Sequence, residues 1–121
     1  MITLQSRVAY RVSNRVKICV TAESDTLDAM VASHFGQSPY FIFVDSETMK
    51  CEVVKNPADR AEKGAGRQVA SIMIERGIDL LITGKVGVNT SQILAAAEIR
   101  VVQGVTGSVR EAVEEYKKDA G

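Results

Sequence analysis

Tyr40-Phe41-Ile42-Phe43-Val44 is apolar at every position. Successive side chains of a strand point to opposite faces, so a strand of this composition has no side to offer to water. The chain must therefore cover a sheet on both faces, with this strand in the sheet interior. Asp45-Ser46-Glu47-Thr48 follows as a turn, and Lys50-Cys51-Glu52-Val53-Val54-Lys55 reads as the returning strand. Two strands joined so closely must be antiparallel. Asn56-Pro57 ends the hairpin.

Val16-Lys17-Ile18-Cys19-Val20-Thr21 is an earlier short, β-branched strand, and Ala22-Glu23-Ser24-Asp25 after it favours a loop or a helix cap. The second half changes rhythm. Gly64-Ala65-Gly66 precedes a helix over 67–76 with Val69, Ile72 and Met73 as its apolar positions, and Gly77 stops it. Leu80-Leu81-Ile82-Thr83 is a buried strand, and the loop over 84–89 leads to a helix through Ile93, Leu94 and Ala97. Ile99-Arg100-Val101-Val102 is the next strand. Ser108 and Glu111 have the spacing of a capping box for a last helix that carries Val109, Ala112, Val113 and Tyr116 on one stripe.

Alternating strands and helices imply parallel strands with right-handed crossovers. The fold class is thus α/β: one mixed sheet, an antiparallel meander followed by two parallel strands, flanked by helices. There is no internal repeat and no linker, so residues 16–118 form one domain with a short tail at 119–121. Residues 1–15 stand apart. Val8, Tyr10 and Val12 alternate with Arg7, Ala9 and Arg11, which makes this arm an added edge strand, a disordered tail or a vector-derived remnant.

At 121 residues the chain can bury a core without disulfides or a structural metal. Fifteen basic and fifteen acidic residues cancel, so overall charge calls for neither nucleic acid nor a membrane as partner. Arg7, Arg11 and Arg15 could touch an anionic partner, but a solvated tail is the preferred reading of them. The start lacks the apolar run of a signal peptide, and no stretch has transmembrane length. Cys19 and Cys51 show neither CxxC nor zinc-ligand spacing. These features describe a cytoplasmic protein with reduced thiols.

The chain has a single histidine, His34, in the small, polar loop Ser33-His34-Phe35-Gly36-Gln37-Ser38-Pro39. Imidazole is the side chain best suited to binding a metal near neutral pH, and loops on a rigid scaffold carry function. The glycine-rich segments 64–66, 84–87 and 104–107 lie where strands meet helices. In such a sheet the carboxyl ends of strands face helix N-termini and form a ready anion site. His34, on the loop leaving the first strand, belongs to the same edge.

In their order and spacing these segments resemble a known family. The segments are the first strand, His34-Phe35-Gly36 with Pro39-Tyr40-Phe41, the hairpin, and Gly64-Ala65-Gly66 opening a helix. Ile78-Asp79-Leu80-Leu81-Ile82-Thr83-Gly84 with Gly87, and Ile99-Arg100-Val101, complete the set. The family is the dinitrogenase iron–molybdenum cofactor-binding domain of nitrogenase accessory proteins and small stand-alone relatives. The resemblance implies a ribonuclease H-like fold with sheet order 3-2-1-4-5. It also implies a role in binding, carrying or inserting a metal–sulfur cluster, with no reaction of its own. The cluster would be of iron–molybdenum, iron–sulfur or molybdenum–copper type. Partners are then the cluster and the proteins that donate and accept it, with the chain a monomer or a homodimer.

The histidine of the family's HFG motif falls on His34, which becomes the candidate metal ligand. Ser33, Phe35, Gly36, Gly64, Gly66, Gly84 and Gly87 are the cofactor-binding candidates around it. One departure stands out: relatives commonly read Gly-x-Gly-Pro after the fourth strand, and here Gly84-Lys85-Val86-Gly87-Val88-Asn89 lacks the proline and adds a lysine.

Metal–sulfur clusters accept imidazole and thiolate ligands, and their negative charge welcomes backbone N–H groups and cations. A single ligand within a cradle of amides suits a carrier that must release its cargo. Each residue also has a plain structural alternative. His34 can hydrogen-bond within its loop, the glycines can serve turns, and Cys19 is expected to be core. Lys85 and Arg67 are expected to be solvated or to face an anionic cluster, and Met30 to pack a helix or to flank the site.

Two rivals differ in class. A ribonuclease H-like nuclease would hold metals with carboxylates on central strands, and the strand interiors 17–20, 41–44, 80–83 and 99–102 contain no acid. A phosphate- or nucleotide-binding regulatory module using the glycine loops would be expected to show GxxxxGK[ST] or GxGxxG, and neither occurs. A protein-interaction domain without cofactor is the third alternative.

Overall fold

The computed structural model describes residues 15–58 and 64–120. Five strands, β1 (Lys17–Ala22), β2 (Tyr40–Asp45), β3 (Cys51–Lys55), β4 (Leu80–Ile82) and β5 (Arg100–Val102), form one sheet in the order β3-β2-β1-β4-β5. The β1–β2 and β2–β3 pairs are antiparallel, and the β1–β4 and β4–β5 pairs are parallel. Three helices lie among the described residues: α1 (Ala65–Arg76), α2 (Val88–Ala96) and α3 (Val109–Ala120). This is the ribonuclease H-like order expected above. The readings offered for residues 1–14 fall outside the described residues.

Period-two alternation divides the core into two. Cys19, Phe41 and Leu81 face one side and pack with Val69, Ala70 and Met73 of α1 and Leu94 of α2. Ile18, Val20, Ile42, Val44, Leu80 and Ile82 face the other and pack with Val109, Ala112 and Val113 of α3. β2 is covered on both faces, as its composition demands.

Helix ends follow their sequence signals with two small shifts. Gly77, at φ 65°, ends α1. α1 begins at Ala65, so Ala65 and Gly66 form its first turn rather than precede it. Ala97 is the exposed C-cap of α2 and not part of its apolar side. The capping box is formed: Ser108 N–H donates to Glu111 Oε1 at 2.9 Å, and Glu111 N–H to Ser108 Oγ at 3.1 Å. No helix among the described residues is long and apolar enough to cross a membrane.

Arg15 pairs with Asp45 at 3.0 Å, at the amino end of β1. The Asp45 carboxyl lies below its ordinary range, chiefly because the Glu47 N–H donates to it, with Thr48 N–H and Arg15 adding. Glu111 is lowered by the Ser108 N–H and then by its hydroxyl. The folded values lie below the unfolded ones, so the stability they contribute is complete above the ordinary carboxylate range. It drains as pH falls through the lowered values. Ser108→Ala should cost about 1 kcal/mol in urea unfolding at neutral pH. Urea midpoints taken from about pH 6 to about pH 3 should fall, and less steeply in Glu111→Gln than in the parent.

Candidate functional site

The chain leaving β1 has no helical periodicity before β2, and no helix forms there. It turns at Thr26–Ala29 and doubles back so that Val31 bridges Ala22 and Ala32 N–H donates to the Thr21 carbonyl at 2.9 Å. It then crosses the carboxyl end of β4. Gly84 N–H donates to Ala32 O at 3.1 Å, Lys85 N–H to Ser33 O at 2.8 Å, and Phe35 N–H to Lys85 O at 2.9 Å. His34 and Lys85 are thereby joined in a parallel bridge. The Phe35 ring, 2% exposed, anchors this segment in the core. Met30 has no helix to pack, which corrects the first expectation for it: it is 55% exposed and bridges Ser108.

Three glycines make this crossing possible by what they lack. A Cβ on Gly84 would overlap the Ser33 carbonyl. One on Gly36 would sit 2.8 Å from the Gly66 nitrogen, and one on Gly66 would sit 2.5 Å from Thr90 Oγ1. The loop over 33–36 is thus pressed against β4's exit and against the start of α1, which in turn touches α2. Gly64 adopts φ 78°, a left-handed conformation that favours glycine. Gly87 is different: its φ is −65° and a Cβ there meets nothing within 4 Å.

The result is an open depression of about 290 Å³ whose walls include His34, Phe35, Gly36, Gly64, Gly66, Gly87, Lys85, Gln37 and Thr90. Six of the eight sequence candidates meet here. The other two, Ser33 and Gly84, line an adjoining depression of about 330 Å³ with Met30, Gly104 and Gly107. Ser33 also reaches its neighbour directly, with Ser33 Oγ 3.2 Å from His34 Nδ1. When Nδ1–H donates to that hydroxyl, Nε2 carries the free lone pair. Gln37 and Thr90 were not anticipated. Gln37 directly follows the HFG motif, while Thr90 is legible only through its helical offset from Gly87.

Both helices that begin at the depression have glycine at the N-cap, without a side-chain cap, and no acid in the first turn. Their first N–H groups have no intrahelical partner and carry the positive end of the helix dipole. Among the described residues no group of three or more His, Cys, Asp and Glu side chains could hold a metal ion. One imidazole, two uncapped helix starts and an ammonium do not enclose a bare cation. They suit an anion that brings most of its own ligands.

The thiols take no part. Cys19 is fully buried in the first core cluster, and burial pushes its thiol well above the ordinary range despite the opposing charge of Arg76. Cys51 is exposed at the opposite end of the strands, beside Lys17, Asp45 and Lys50. Arg67 is exposed in the first turn of α1.

The sequence model of the dinitrogenase iron–molybdenum cofactor family matches residues 16–119. Among solved structures, the apo form of the orange protein from Desulfovibrio gigas is 38% identical, with TM-score 0.82, covering 88% of this chain and 91% of that one. A Thermotoga protein of the DUF35 family, described as a NifB candidate, is 30% identical, with TM-score 0.73, covering 85% of this chain and 88% of its own. A dinitrogenase candidate from Methanocaldococcus jannaschii shares the fold at 8% identity, with TM-score 0.65, over 88% of this chain and 92% of its own. A search of curated proteins found no match.

The steric account predicts a split among the glycines. Gly84→Ala and Gly36→Ala should each lower unfolding stability by about 1–3 kcal/mol. Gly87→Ala, whose Cβ meets nothing, should change it by less than about 1 kcal/mol. Urea or thermal unfolding of the three variants checks this directly.

Proposed function

The chain belongs to the dinitrogenase iron–molybdenum cofactor family, and on that premise we propose that it carries a preassembled metal–sulfur cluster between a donor and an acceptor protein. The cluster, of iron–molybdenum, iron–sulfur or molybdenum–copper type, docks at the carboxyl edge of the sheet, and the chain catalyses no reaction on it. The observation that carries this reading is the convergence of His34, Gly36, Gly64, Gly66 and Gly87 on one depression. His34 supplies the single protein ligand through Nε2, oriented by Ser33. The uncapped starts of α1 and α2 face the cluster's negative charge. Phe35 and Gly84 hold the loop in place. One ligand keeps the complex reversible, which a carrier requires. The free thiols Cys19 and Cys51 support a reducing, cytoplasmic setting.

Two uncapped helix starts also suit a phosphate, so the regulatory-module reading is kept as the second one. The imidazole favours the cluster, because phosphate sites are built on cations and amides rather than on one lone-pair donor.

Anaerobic reconstitution with iron, molybdenum and sulfide, followed by gel filtration, visible absorption and metal analysis, tests the proposal. The parent should retain a coloured cluster, and His34→Ala at least about tenfold less. Equal retention by both would sink the role of His34. No retention by either, together with tight phosphate or nucleotide binding, would favour the second reading.

A further inference from the structure

The loop that leaves β4 carries a lysine at position 85, and the fold gives that lysine a particular address. We propose that Lys85 selects the cargo by its net negative charge, an inference that rests on the cluster-carrier reading above. The parallel bridge sets Lys85 in register with His34, so their Cβ atoms are about 5 Å apart, the spacing of neighbouring strands. Both side chains are exposed, and both residues line the same depression.

Among the described residues no acid lines that depression, and Lys85 enters none of the ion pairs they form. Each helix start contributes about half a charge, whereas the ammonium contributes a whole one on a flexible stem. Lys85 also holds the loop, but through its backbone N–H and carbonyl alone. Its side chain can therefore be changed without touching the bonds that clamp His34. The imidazole supplies the bond to metal, and the ammonium supplies attraction that grows with the anion's charge and is screened by salt.

The test is an anaerobic titration of the full chain with tetrathiomolybdate, a dianionic metal sulfide, at low and high salt. Lys85→Gln should bind about three- to thirtyfold more weakly at low salt. The gap should close at high salt, and the spectrum of the bound species should be unchanged because lysine is not a ligand. Lys85→Arg should stay near the parent. Lys50→Gln, which removes the same charge at the opposite end of the strands, should bind like the parent. Equal binding by Lys85→Gln and the parent at both salts would overturn the inference, as would an equal loss in Lys50→Gln. Failure of the parent itself to bind would instead overturn the carrier reading on which it rests.

Discussion

Strand β1 has no solvent-facing side from Ile18 to Ala22, and it is paired antiparallel with β2 on one edge and parallel with β4 on the other. That double demand fixes where the chain can go. A parallel neighbour requires a crossover, and two apolar faces require helices on both sides. β3, β1, β4 and β5 all run in one direction, so α1, α2 and α3 start from the same edge of the sheet. Among the described helices only α3 caps itself with side chains. The starts of α1 and α2 are left with glycine, at the edge where the loop from β1 brings His34.

The glycines unite the structural and functional readings that the sequence left side by side. Gly84, Gly36 and Gly66 are needed for close approach of backbone to backbone or to Thr90. That approach is also what draws His34, α1 and α2 around one depression. Gly87 has no such steric reason, and as N-cap it leaves the start of α2 without a side-chain cap.

Much of this was legible beforehand because it is written in local patterns. The apolar run at 40–44, the turn at 45–48, the stop at Gly77 and the Ser108–Glu111 box each needed only a few consecutive residues. The family resemblance and the sheet order are borne out by the match over 16–119 and by the strand pairing. What escaped was the segment between β1 and β2. Residues 23–34 carry no period, and their course is set by bonds to Gly107, Lys85 and Ala29's partner Val109, all far away in sequence. Met30 was misread for that reason. Thr90 escaped because its place is defined by a contact with Gly66 across two helices.

The central claim is that an anionic cluster sits between His34 and the starts of α1 and α2. Backbone amide NMR during anaerobic cluster addition tests it most directly. The account predicts the largest changes at residues 34–37, 64–67 and 85–90, with β3 and the 45–50 turn unaffected. Changes concentrated instead around Lys17, Asp45 and Cys51, at the opposite end of the strands, would contradict it.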